Sequence, residues 1–216
     1  MNAVDVDASR PGGPKEQAGY RRSAGSPRGE ARRRELLDRV TNDLAVNGLV
    51  DFSLRRAARA AGTTHKVLLY HFDGVDDLLG QAMLALRERR IGNALAAAGK
   101  GRGRKTLAAR VRAMWPILMD EQSGLRVIDQ AIGLAMYDPE RYAHVGREAS
   151  VPYRPALISL CPPEWSDERK REVAEMILAV MRGFLMEWRT SGDTVGIDAA
   201  FEALVRALER EEAAPE

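Results

Sequence analysis

From Leu36 to Leu208 the apolar residues recur every three or four positions, and nowhere do they alternate over a useful length. That spacing buries one stripe of a helix, so it predicts an all-α chain. Glycine and proline cut the pattern into pieces. Leu36, Leu37, Val40 and Leu44 define a first helix, stopped at Asn47-Gly48. Ser53 is a good N-cap for a second, short helix with Leu54, Ala57, Ala58 and Ala61 on one stripe and Gly62 at its end. Thr63 or Thr64 caps a third, which runs to about Phe72 before Asp73-Gly74 breaks it. A fourth helix over 75–98 buries Leu78, Leu79, Ala82, Met83 and Leu86.

The second half continues in the same period. Leu107, Val111, Met114 and Leu118 mark a helix that Pro116 should kink. Another is expected over 124–137, stopped by Asp138-Pro139, while Pro152, Pro155 and Pro162-Pro163 limit helix length over 140–163. Ser166 caps a long helix that Ser191-Gly192 ends, and a last one is expected over 197–209. The long helix is apolar on nearly every face from Val173 to Trp188. Such a helix must be covered all round, which favours core or pocket on one side and a subunit interface on the other.

Composition narrows the function. With 216 residues, the chain can bury a core without staples. A single cysteine, Cys161, excludes an internal disulfide and a multi-cysteine zinc site. Flanked by Leu160 and Pro162, it reads as a small buried residue. His65, His71 and His144 leave little for any metal, and none is expected. No apolar run approaches a membrane span, and the N-terminus lacks an apolar signal region, so a cytoplasmic protein that does not engage a membrane is expected. Residues 1–29, rich in Gly, Pro, Ser and Arg, read as a disordered basic tail.

The net charge of +2 hides an asymmetry. Residues 1–112 carry 22 Lys/Arg against 12 Asp/Glu, a net +10; residues 113–162 carry 4 against 6, a net −2; residues 163–216 carry 7 against 13, a net −6. A basic front half suggests a polyanion-binding end, and the acidic end a separate partner end. The basic GKGRGRK segment at 99–105 lacks the Walker A spacing and reads as a solvated connector, so no cofactor is expected.

The informative segment is 53–72, SLRRAARAAGTTHKVLLYHF. Two short helices around a glycine describe a helix-turn-helix, whose second helix lies in the DNA major groove. Thr64, Leu68 and Phe72 form its core stripe, and His65, Lys66, Leu69 and Tyr70 project from other faces. The stretch 33–86 resembles the tetracycline-repressor (TetR) family of bacterial regulators. The family's pattern stands here as Gly48, Ser53, Gly62-Thr63-Thr64, Leu68, His71-Phe72 and Asp76-Asp77-Leu78-Leu79. Two positions depart from it. The usual tyrosine after the leucine is Leu69, with Tyr70 beside it, and the usual lysine opening the fourth helix is Val75. Tyr70 or Lys66 can substitute for the missing phosphate contact.

The resemblance implies a helix-turn-helix domain over 30–75, a linking helix over 75–98, and a ligand-binding and dimerisation domain over 99–216. It implies backbone contacts to double-stranded DNA from Ser53, Thr63, Thr64, Tyr70 and His71. Base edges would face His65, Lys66, Val67 and Leu69, and Arg32, Arg33 and Arg34 would sit on phosphates or in the minor groove. For the second half it implies a homodimer and a pocket for a small, mostly apolar molecule of unknown identity. Met114, Trp115, Met119, Met136, Tyr137, Met181, Phe184 and Trp188 are the adaptable apolar residues for such a pocket. Arg126, Asp129 and Gln130 are the polar ones that could orient a ligand. Ile177, Val180, Leu185, Phe201, Leu204, Val205 and Leu208 are the candidates for the dimer interface. The expected function is a repressor released from a palindromic operator by its ligand. A regulator without an inducer remains the alternative. An all-helical enzyme is disfavoured, because no nucleophile–base constellation is visible.

Overall fold

The computed structural model describes residues 26–100, 106–120, 124–140, 146–147 and 151–215. Among them every regular element is helical. The helices are α1 (Pro27–Asn47), α2 (Leu54–Ala60), α3 (His65–His71), α4 (Val75–Gly99), α5 (Leu107–Met119), α6 (Leu125–Tyr137), α7 (Tyr153–Ile158), α8 (Asp167–Ser191) and α9 (Thr194–Ala213). No described helix is long and apolar enough to cross a membrane.

The caps set the boundaries. Ser53 Oγ accepts from the Arg56 N–H at 3.3 Å, Thr64 Oγ1 from Val67 at 3.4 Å, and Ser166 Oγ from Arg169 at 3.3 Å. Each satisfies a donor that the first helical turn leaves unpaired. Two ends differ from the sequence reading. α1 begins at Pro27, inside the stretch expected as tail, because Ser26 caps it (Gly29 N–H to Oγ, 3.1 Å) and Pro27 opens its first turn. The rest of that tail, residues 1–25, and the basic connector at 101–105 lie outside the described residues. α9 starts at Thr194, because Asp193 accepts from the Gly196 N–H at 2.9 Å. It runs on to Ala213, where Glu212 accepts from Leu107 and Ala108 at 2.5 and 3.2 Å and so caps α5 from outside.

The helices enclose two cores. Leu36, Val40 and Leu44 of α1, Ala57 and Ala58 of α2, Leu68 and Phe72 around α3, and Leu78, Ala82 and Leu86 of α4 form the N-terminal one. Ala94 and Ala98 of α4 pack instead with Val111 and Trp115 of α5, Ile177 and Met181 of α8, and Phe201 and Val205 of α9. α4 thus contributes to both cores. Cys161 is buried, and burial pushes its thiol up from the ordinary value.

The turn between α2 and α3 is fixed by Gly62 (φ 63°). Thr63 N–H donates to Ala58 O at 2.9 Å and Gly62 N–H to Arg59 O at 3.1 Å, the double bond of a Schellman ending. A side chain at that left-handed position costs about 1–2 kcal/mol. Gly62→Ala should therefore lower Tm by about 2–8 °C for a chain of this size. Thermal unfolding followed by circular dichroism checks this, and an unchanged Tm would mean that the turn is not held as described.

Candidate functional site

α3 is barely two turns long and owes its place to tertiary packing. Leu68 is fully buried and Phe72 nearly so, and the Thr64 hydroxyl holds the first turn. The opposite side is free. His65 and Lys66 are exposed, and Leu69 is 53% exposed, an unusual position for a leucine in a helix this short. Val67 and Tyr70 are half-buried, and Tyr70 packs edge-on against His71, with ring centroids 4.8 Å apart. Ser53 and Thr64 are exposed and Thr63 half-buried, at the ends of α2 and α3. The residues expected to face DNA therefore share one end of the molecule. His71 is less open, and its Nδ1 is buried without a hydrogen-bond partner among the described residues. Burial first, then the Arg33 and Arg32 guanidiniums, holds its pKa below the ordinary histidine value. Both effects favour its neutral form.

The three arginines of α1 separate into different roles. Arg34 is exposed. Arg32 pairs with Glu35 at 2.6 Å across an exposed helix turn, a contact that is weak in water and easily surrendered. Arg33 is different. Its Nε donates to the His71 carbonyl at 3.1 Å, its Nη2 to Gln81 Oε1 at 2.5 Å, and its guanidinium lies over the Phe72 ring at 4.9 Å. It clamps α1 onto the end of α3 and onto α4. Arg33, expected at the DNA, thus has a positioning role in this fold, with its Nε and one Nη2 hydrogen engaged inside it.

An apolar cavity of about 70 Å³ lies between α4, α5, α6, α7 and α8. Ile91, Leu118, Ile128, Ile132, Leu157 and Leu178 are among its walls. Of the residues expected around a pocket, Met114, Met181 and Asp129 line it. The others do not. Trp115 stacks on Phe201, with centroids 4.5 Å apart and planes at 10°, and its Nε1 donates to Asp198 at 3.3 Å. Met119, Phe184 and Trp188 are half-buried against the C-terminal core. Arg126 is exposed, as are Met136 (74%) and Tyr137 (88%). These last two continue the period of α6 past the point where anything covers it, and Leu125, Val127 and Ala131 are its buried residues.

The sequence reading missed the polar edge of the cavity: Arg90, Tyr153 and Arg182. Arg90 is 3% exposed, and its Nη2 donates to the Leu118 carbonyl at 3.2 Å. Burial lowers its pKa, while Tyr153 and Asp129 oppose the shift. The signal was present, since Arg90 interrupts the buried stripe Leu78, Ala82, Leu86, Ala94, Ala98 at its own four-residue spacing. Tyr153 is raised by burial, against the neighbouring guanidiniums of Arg90, Arg87 and Arg182. Asp129 is raised by burial as well, although its Oδ2 lies 2.9 Å from Arg189 Nε in an ion pair too oblique for a hydrogen bond.

Gln130 has a task that the sequence did not disclose. Its Oε1 accepts from the Leu49 N–H at 2.6 Å, which ties α6 to the chain just after α1. Gly48 (φ 73°) sits against it, and a Cβ there would come within 2.5 Å of the same oxygen. Val127, one turn earlier, belongs to the N-terminal core.

The residues expected at a dimer interface sit in the core of a single chain. Ile177, Leu185, Phe201, Leu204, Val205 and Leu208 are all buried, and Val180 is half-buried against the same core. The reason is periodicity. Ile177, Met181 and Leu185 follow one another on the inner face of α8, whereas Met176, Ala179, Gly183 and Met186 are exposed on its outer face.

No protein-family model and no curated protein matches the sequence. Solved structures do match. One described as a TetR-family transcriptional regulator from Rhodococcus sp. superposes with a TM-score of 0.62 at 16% identity, over 83% of this chain and 97% of that one. A transcriptional regulator from Streptomyces coelicolor A3(2) gives 0.60 at 21% identity, over 81% and 96%. The multidrug binding protein EbrR, complexed with imidazole, gives 0.57 at 18% identity, over 82% and 94%. The chain therefore has the all-helical, helix-turn-helix-bearing fold of the TetR-family regulators.

Two substitutions test these assignments. Arg33→Ala should cost about 1–3 kcal/mol of stability, because it takes the Arg33 donors from the His71 carbonyl and from Gln81 Oε1, while Arg34→Ala should leave stability unchanged. Urea unfolding separates the two, and equal effects would refute the division. Gln130→Ala should speed hydrogen exchange at the Leu49 amide by about 5- to 30-fold, for a bond of about 1–2 kcal/mol. An unaltered rate would mean that the tether is not formed in solution.

Proposed function

We propose that the chain is a transcriptional regulator of the repressor kind. As a homodimer it holds a palindromic double-stranded DNA operator through α3 and is released when a small, mostly apolar molecule enters the cavity. The observation that carries the reading is the capped α2–Gly62–α3 unit, whose outward side presents His65, Lys66 and Leu69 beside exposed Arg34. Lys66 can reach guanine O6 or N7, and Leu69 can touch a thymine methyl. Ser53, Thr64 and Tyr70 are placed to hold phosphates, and Arg32 can give up its exposed pairing with Glu35 to do the same. The two-domain fold shared with solved transcriptional regulators supports the reading.

A palindrome needs two readers held about one helical turn of DNA apart, which a two-fold dimer supplies. The outer stripe Met176, Ala179, Gly183, Met186 on α8 is the surface offered to a second copy, with small residues that let helices approach. The ligand role rests on the cavity, and a multidrug binding protein of the same fold, complexed with imidazole, agrees with it. Coupling follows from α6, which lines the cavity with Ile128, Asp129 and Ile132 and holds the DNA-binding half through Val127 and Gln130. A ligand shifts DNA affinity only by preferring one arrangement of that helix over another.

The test is a salt-dependent titration of a fluorescent duplex taken from upstream of the chain's own gene, against a scrambled duplex. Selective binding that weakens steeply with salt is expected. Arg34→Ala should flatten the log–log salt slope by about 0.9 and weaken both duplexes alike, while Lys66→Ala should cost about 1–3 kcal/mol on the selective duplex only. Absence of binding to either duplex at low salt would overturn the reading.

A further inference from the structure

The cavity is not uniformly apolar, and the placement of its charge carries information about what enters it. Four of its lining residues bear polar or charged side-chain heads: Arg90, Asp129, Tyr153 and Arg182. Two are guanidiniums and one is a carboxylate. That carboxylate is already paired from outside the lining by Arg189 at 2.9 Å. The Tyr153 hydroxyl, beside Arg90, and Asp129 Oδ2 are the two buried polar atoms of this lining that make no hydrogen bond of good geometry among the described residues. Buried polar atoms without partners are uncommon, and at a cavity wall they are what a bound polar group satisfies. The remaining walls are aliphatic side chains and the flexible thioethers of Met114 and Met181. Such walls yield to a tail larger than the present 70 Å³.

We propose that the cavity takes an amphipathic monocarboxylate, its acid group between Arg90, Arg182 and the Tyr153 hydroxyl and its hydrocarbon body among the methionines and leucines. This inference rests on the ligand-responsive reading above and names the class of its ligand. A monoanion balances the positive excess of the lining, and its oxygens accept from both guanidinium and phenol. A cation would meet two like charges, and the one carboxylate that could receive it already faces Arg189, so an organic ammonium is disfavoured in this seat. A neutral alcohol gains the apolar contact but not the charge-assisted hydrogen bonds that a carboxylate makes to a guanidinium.

Octanoate, 1-octanol and octylammonium share one tail and differ in head group. Isothermal titration of the full chain should show octanoate binding at least about tenfold more tightly than octanol, with octylammonium not binding, the size of one charge-assisted hydrogen bond. Tyr153→Phe and Arg182→Gln should each weaken octanoate about 3- to 30-fold and leave octanol unchanged. They are preferred to Arg90→Met, because Arg90 also holds the Leu118 carbonyl and its loss threatens folding. If octanol or octylammonium binds as well as octanoate, or if the variants weaken all three alike, the head-group assignment is wrong while a ligand pocket stands. If none of the three binds, the carboxylate proposal falls. Release of the duplex by whatever does bind, or its failure, then reports separately on the ligand-responsive reading.

Discussion

The molecule is organised by one stripe along α4. Leu78, Ala82 and Leu86 belong to the core beneath the helix-turn-helix, and Ala94 and Ala98 belong to the core of the second half. Arg90 stands between them, buried, at the same four-residue spacing. A charge removed from water costs several kcal/mol unless it is answered by hydrogen bonds and opposite partial charge. Here the Leu118 carbonyl accepts from it, and Tyr153 and Asp129 favour its charged form. An arginine remains protonated under such burial, because its ordinary pKa lies far above neutrality. The boundary between the two cores is thus also the charged edge of the cavity.

A second seam runs beside the first. α6 contributes Val127 to the N-terminal core, Leu125 to the C-terminal one, Gln130 to the Leu49 amide, and Ile128, Asp129 and Ile132 to the cavity wall. Successive residues on a helix point in directions about 100° apart, so neighbours in sequence serve different neighbours in space. A displacement of α6 therefore cannot be confined to the cavity. It acts on the loop between α1 and α2, against Gly48, where there is no room for even a Cβ.

Much of this was legible in the sequence, because caps and periods are local. Ser53 and Ser166 read correctly as N-caps and Gly62 as the turn; of the expected inward stripe of α3, Leu68 and Phe72 are buried, whereas Thr64, one of two candidate caps, is exposed because its hydroxyl caps the helix. What depended on tertiary partners was not legible. Arg33 and Arg34 are equivalent as letters, yet one faces Gln81 and the Phe72 ring while the other faces solvent. Trp115 and Tyr137 are both large aromatics on central helices, yet one stacks on Phe201 and the other projects from the uncovered end of α6. For α8 the residues expected at a subunit interface lie on the inner face instead, because a pattern with too many apolar residues carries no phase. Arg90 and Gln130 escaped because a lone polar residue in a helix reads as solvent-facing until its stripe is compared with its neighbours'.

The two halves also explain each other's economy. α3 has two turns and one fully buried residue, too little to be stable alone, so its orientation is set by Arg33, by the caps and by the core that α4 carries. A change in α4 or α6 therefore acts on α3 without a dedicated switch, because that helix has no independent stability with which to resist. By the same logic, occupancy of the cavity need not create a new structure. It need only favour, by its differential affinity, one of the positions that α4 and α6 can share. Under the proposal above, a carboxylate seated at Arg90 would bind at the point where the two cores meet.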